Sequence, residues 1–282
     1  MGARRLYEAL RDGTADRDPA PVMAAWLARA EGAYRTELLA GAGVLAARTG
    51  PQDRRAELLW ELYALSRVSD VLLLSRQPPP APGEEDRLHH WPTVGPDEYA
   101  ALFAGLGMTP FEESGAFDPF RHEIVAVEQA EDPDEPVRIT GVVWPGLRLG
   151  PVLFGRAGVR VRAGVRHAER GVADRSPLYW TFLRRHRPTV DESLGWGHNS
   201  QWRTDFRVDV RTAEGDLLNA EGRDDAHSVR DDPHTALLTP AERSDLLRHR
   251  CLLRTPARVA ELDAVSPDWA TDLYPFDWRA RR

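Results

Sequence analysis

Lysine is absent: all 37 basic residues of the 282-residue chain are arginine. That excludes a phosphate-binding loop of the usual kind, a Schiff-base lysine and the strand lysine of a protein kinase. Cysteine is almost absent. The single Cys251 cannot close an internal disulfide, and a cysteine-based zinc site needs more thiolates. No apolar run approaches the roughly 18 residues of a membrane span, and Met1-Gly2-Ala3-Arg4-Arg5-Leu6 has no apolar signal core, so a cytoplasmic location is expected. His-Glu-x-x-His, Gly-x-Ser-x-Gly and Cys-x-x-Cys are missing too, and with them the common zinc, serine-nucleophile and redox arrangements. The chain reads as a non-enzyme without metal or cofactor.

What is present describes an ordinary folded protein. Apolar residues make up 42% and charged residues 29%, a globular rather than a disordered composition. The net charge of −7 disfavours nucleic acid as a partner. Short helices are expected at 3–11 and from Pro96 to Leu106, the latter ended by Gly107. A longer one runs from Pro19 to about Arg48, with Asp18 as N-cap, and Gly50-Pro51 ends it. A leucine-rich helix follows over Asp53–Ser75, apolar enough on one face to need other helices against it. After the proline-rich stretch at 77–86, the period changes at Pro110. His122–Val127, Val137–Val143, Leu147–Phe154 and Val159–Arg162 read as short strands. Thr239 is the expected cap of a helix over Pro240–Arg250, Cys251 reads as core within that helical stretch, and the aromatic tail to Trp278 is expected to dock on the body.

Charge is segregated along the chain. Residues 112–135 carry a net −8, and residues 156–187 a net +7. Within the basic stretch Arg160 and Arg162 alternate with Val159 and Val161, so one face of that strand is cationic. Such a face reads first as merely solvated; otherwise arginine forks suit the carboxylates of a protein partner or, less well, the phosphates of a nucleic acid. The acidic and histidine residues of 224–234 match no metal-ligand spacing and read as a solvated loop. In Gly195–Trp202, glycines and turn formers oppose regular structure, yet two tryptophans are too much apolar area for a mobile loop. An ordered loop is expected, with Trp196 and Trp202 anchored on the second module. His198 and Asn199 either fix the loop or meet a partner, which makes these four residues a possible second partner site. An enzymatic reading centred on His198, Asn199 and Asp205 ranks last.

One stretch carries a family pattern. Gly107-Met108-Thr109-Pro110-Phe111, Gly115 and Phe117-Asp118-Pro119-Phe120-Arg121-His122-Glu123-Ile124 are followed by acidic residues. Gly146-Leu147-Arg148-Leu149 and Phe154-Gly155-Arg156-Ala157-Gly158-Val159-Arg160-Val161 complete the pattern. In order and spacing, residues 102–162 resemble the C-terminal module of the GrpE nucleotide exchange factors. Leu147 replaces that family's aromatic, Arg156 is displaced by one position, and the long N-terminal dimer helix is broken at Gly50-Pro51. Helices followed by short strands give an α+β fold: a helical region (1–76), a proline-rich linker with a short helix (77–106), a β domain (107–164) and a C-terminal α+β region of unknown type (165–282). The resemblance implies that the β domain is GrpE-like. It also implies a cochaperone that binds the nucleotide-binding domain of a DnaK-type chaperone and promotes ADP release, with a homodimer possible. Phe117, Asp118, Pro119, His122, Arg156, Arg160 and Arg162 are then the expected partner-binding residues. Without the family, His122 reads as a turn histidine. The alternative is a non-enzymatic interaction module in which the β domain is a scaffold and the partner docks on the aromatic C-terminal half.

Overall fold

The computed structural model describes residues 2–12, 18–30, 32–80, 91–112, 115–191, 200–228, 237–251, 256–265 and 275–281. Trp196, His198 and Asn199 lie outside them, as do parts of the proline-rich stretch, the 224–234 segment and the C-terminal tail.

The fold is α+β, with helices first. The N-terminal part consists of α1 (Ala3–Asp12), α2 (Ala20–Ala30), α3 (Ala33–Ala47), α4 (Gln52–Leu73, extended by a 3-10 turn to Arg76) and α5 (Pro96–Gly105). The single helix expected from Pro19 to Arg48 is two. Gly32 sits between them at φ 93°, a left-handed conformation open to glycine, and redirects the chain. The expected start is in place, since the Asp18 carboxylate accepts the Ala20 N–H at 2.9 Å. Arg48 and Gly50 both adopt positive φ, and Pro51 then opens α4.

Six strands follow in residues 109–163: β1 (Thr109–Phe111), β2 (His122–Gln129), β3 (Arg138–Trp144), β4 (Gly146–Leu149), β5 (Val152–Gly155) and β6 (Ala157–Ala163). The stretch expected as one strand, Leu147–Phe154, is a hairpin, because Gly150 takes φ 54° ahead of Pro151. β6 lies between β2, to which it runs parallel, and antiparallel β3. β1, β4 and β5 continue into a seven-stranded sheet through β9 (Asp209–Thr212), β10 (Gly215–Leu218), β12 (Trp278–Arg281) and β11 (Asp224–Asp225). The short β7 (Leu178–Tyr179) and β8 (Thr189–Val190) pair separately. α6 (Pro240–His249) and α7 (Pro256–Val265) complete the chain.

The segment boundaries at 76, 106 and 164 do not separate hydrophobic cores. One cluster joins Leu6, Leu62, Leu65 and Phe103 to Trp144, Leu147 and Val152, and to Phe206 and Val208 beyond the β module. A second holds Phe120, Tyr179, Leu246, Leu247 and Trp278, with Phe276 packed against it, which seats the described end of the aromatic tail. A third backs the β2–β6–β3 sheet with Ile124, Val127, Val159 and Val161. Cys251 is buried, although it follows α6 rather than lying in it and bridges Leu178. Among the described residues no helix is long and apolar enough to cross a membrane.

α6 shows how local chemistry fixes an element. The Thr239 hydroxyl accepts the Glu242 N–H at 3.2 Å, and the Glu242 carboxylate accepts the Thr239 N–H at 2.9 Å. Pro240 stands at the first helical position, where no N–H is needed. Thr239→Ala should cost about 1 kcal/mol, read from the urea midpoint at unchanged slope.

Candidate partner-binding surface

The Phe117–His122 turn is built from its own polar groups. The Asp118 carboxylate accepts the Phe120 N–H at 3.0 Å, and the Asp118 N–H donates to His122 Nδ1 at 2.9 Å. His122 is the turn histidine that its bare sequence context suggests. Burial raises the Asp118 pKa, but hydrogen bonds from the Arg211 guanidinium outweigh it and hold the carboxyl below its ordinary value. Phe117 and Asp118 are half-buried, whereas Pro119 and His122 are buried. These last two therefore position the turn and present nothing to a partner.

Arg156 needs the clearest correction. Strand alternation places it on the same outward face as Arg160 and Arg162. However, it falls in the corner between β5 and β6, and its side chain turns inward to 2% exposure. There it donates to Pro119 O at 2.9 Å, Asp209 Oδ2 at 3.1 Å and Arg248 O at 3.2 Å. Arg207 and Arg250 reach the same Asp209 carboxylate. Sequence reading missed this cluster, because Asp209 lies 53 residues from Arg156.

The segregated charge is largely spent inside the molecule. Arg162 pairs with Glu128 at 2.6 Å and with Glu135 at 3.0 Å, and Arg166 pairs with Asp134 at 2.7 Å. Arg184 holds Glu123 at 2.9 Å and Asp70 at 2.6 Å. The acidic stretch thus folds against the basic one, while Arg160, like the exposed Arg170, stands apart from ion pairs among the described residues. In strand register Arg160 lies between Ala126 on β2 and Gly141 on β3, neither of which carries a long side chain. It is exposed and makes no ion pair among the described residues, and a Cβ added at Gly141 would meet nothing within 4 Å. The result is an accessible guanidinium on an open row of the sheet. Phe117 packs toward the opposite, apolar face of that sheet, so the expected partner residues do not form one surface.

Trp202 is an anchor, but its ring packs on the N-terminal helices, against Tyr7 and Arg67, rather than on the second module. It closes a 3-10 turn at Ser200–Trp202, and its ring lies 4.3 Å from the Arg67 guanidinium, which Phe182 at 3.8 Å and Tyr7 at 4.8 Å also face. Arg67 donates to Gln201 O at 3.0 Å, which ties the turn to α4. No sequence pattern signalled that aromatic box. Asp205, the remaining member of the enzymatic reading, accepts the Trp60 indole N–H at 3.0 Å, and burial raises its pKa. Among the described residues no group of three or more His, Cys, Asp or Glu is arranged to hold a metal ion.

A scan against protein-family models returns no match, and searches of curated proteins and of solved structures return none. The functional reading therefore rests on the chain's own residues and on the pattern they resemble.

Proposed function

We propose that this chain is a non-catalytic binding factor of GrpE-like type, which engages the nucleotide-binding domain of a DnaK-type chaperone and promotes release of its ADP. The observation that carries the reading is Arg160, exposed and without an ion pair among the described residues, between Ala126 and Gly141 on the outer face of the β2–β6–β3 sheet. An unpaired guanidinium with small neighbours can accept a partner carboxylate in fork geometry without first breaking an internal bond. The ordered pattern from Gly107 to Val161 supplies the class of partner. Such a factor needs no covalent chemistry, because binding an open nucleotide pocket better than a closed one shifts the population toward release.

Arg160→Glu reverses the charge at a site with no internal role and should leave thermal stability unchanged. Affinity for the chaperone's nucleotide-binding domain should fall by about tenfold or more, measured by calorimetry at low salt. Unchanged affinity would remove Arg160 from the interface. Arg156 is unsuited to the same test, because its loss disturbs the core.

A further inference from the structure

The seven-stranded sheet has a second face, turned away from the main core. Leu149, Val152 and Val210 form one register row within that core. The next row, Thr109, Arg148 and Leu153, therefore points the other way, because successive residues alternate across a strand. Phe111 follows Thr109 by two residues, and Arg211 follows Asp209, the partner of Leu153, by two, so both share that direction. The Phe117–His122 turn brings Phe120 and Arg121 against this face. Arg211 ties it there, donating to Asp118 Oδ1 at 3.2 Å and lying 4.5 Å from the centre of the Phe120 ring.

A cavity of about 240 Å³ lies between sheet and turn. Phe111, Phe120 and Leu153 give it apolar walls, and the three cations Arg121, Arg148 and Arg211 line it with no carboxylate among them. Two acids stand next to these cations. Asp118 serves both Arg211 and Arg121, the latter at 3.8 Å, and Asp216 Oδ1 accepts from Arg211 at 2.6 Å. Three guanidiniums against two carboxylates leave one positive charge in excess. That charge is on Arg148, which is exposed and makes no ion pair among the described residues.

Apolar walls with one uncompensated guanidinium at their edge define a ligand class. We propose that this cavity binds a small aromatic monocarboxylate, with its ring against Phe111 and Phe120 and its carboxylate on Arg148. A planar guanidinium matches a carboxylate in fork geometry, and aromatic rings pair edge-to-face or offset-stacked. Net excess of a single charge favours a monoanion over a dianion. Volume limits the ligand as well: benzene fills a cavity of roughly 150 Å³, so this one holds a single substituted ring and little more. The site is independent of the Arg160 surface, which lies on the other sheet.

Fluorine NMR of para-fluorobenzoate, titrated with the full chain at neutral pH and constant ionic strength, tests this. Saturable binding at one site is expected, displaced by benzoate but not by acetate, which lacks the ring, or by benzamide, which lacks the charge. Arg148→Gln breaks no ion pair among the described residues, so Tm should hold while affinity falls by about tenfold or more. Arg170→Gln, an exposed arginine away from the cavity, should bind as the parent does. Thr109→Trp places an indole at the exposed edge of the cavity and should block binding, a second variant if Arg148→Gln fails to fold. No saturable binding would overturn the proposal, as would equal displacement by acetate or benzamide. Parent-like affinity in folded Arg148→Gln or Thr109→Trp, or an equal loss in Arg170→Gln, would overturn it too. Tighter binding of phenyl phosphate than of benzoate would reject the monocarboxylate.

Discussion

Arg184→Met is expected to destabilise the chain by about 3–5 kcal/mol, a large share of the roughly 5–15 kcal/mol that holds a domain of ordinary stability together. Arg184 lies between two carboxylates from distant parts of the chain, Asp70 on α4 and Glu123 on β2, all with side chains no more than 10% exposed. One cation cannot satisfy both acids. Burial raises both pKa values, but Arg184, with help from Arg187 and His186, pulls Glu123 down to about 2, whereas Asp70 remains above its ordinary value. Methionine keeps much of the volume and removes the charge, stranding two buried carboxylates. Both then titrate upward.

The sign of the pH dependence follows. In the parent chain Glu123 contributes stability above its ordinary value of 4.5, and this is lost as pH falls toward 2. His186 adds to acid sensitivity, since burial pushes its imidazole from 6.5 down to about 3 and only the unfolded chain takes up the proton between those values. In Arg184→Met the stranded carboxyls are relieved by protonation, so the gap to the parent should narrow as pH falls from 7 toward 4.5. Urea denaturation across that range measures it. A gap that stays constant with pH would mean that lost packing, not stranded charge, explains the destabilisation. Adding Asp70→Asn and Glu123→Gln should recover much of the loss.

Trp144→Ala is expected to cost a similar amount, about 3–5 kcal/mol. Trp144 ends β3 at 1% exposure within the main core, and its indole N–H donates to Arg156 O at 3.0 Å. It lies against Gly158 of β6, where an added Cβ would fall 2.2 Å from the ring. Gly158 is thus required by space rather than by φ, and Gly158→Ala should also destabilise, by about 1–3 kcal/mol, as an overpacked core does. The Arg184 guanidinium lies 5.6 Å from the Trp144 ring. Arg184→Met and Trp144→Ala should therefore be non-additive, and a double-mutant cycle read from denaturation midpoints measures the coupling. Simple additivity would show that the ring and the ion triad act independently.

What the sequence made legible is local. The Thr239 cap, the Gly107 stop and the leucine face of α4 are written within a few residues of where they act. The Gly150-Pro151 turn carried an equally local signal, yet an apolar run on both sides hid the hairpin. Gly32 hid the break between α2 and α3 in the same way, since the helical period continues across it. Long-range facts had no such signature. Arg156 alternates correctly with Arg160 and Arg162, and only the corner at residue 156 and the distant Asp209 turn it inward. The charge segregation was visible in the sequence, but its internal pairing was not: Arg162, Arg166 and Arg184 meet acids of the chain itself. Of the expected contact residues, Arg160 keeps an unhindered outward position because its strand neighbours are Ala126 and Gly141.

The most direct test of the functional reading is the release of a fluorescent ADP analogue from a DnaK-type chaperone of the same organism, followed with and without this chain. The account expects release to accelerate in a saturable way, with Arg160→Glu requiring much more protein to reach the same rate. Release unchanged at a saturating concentration of folded protein would contradict it.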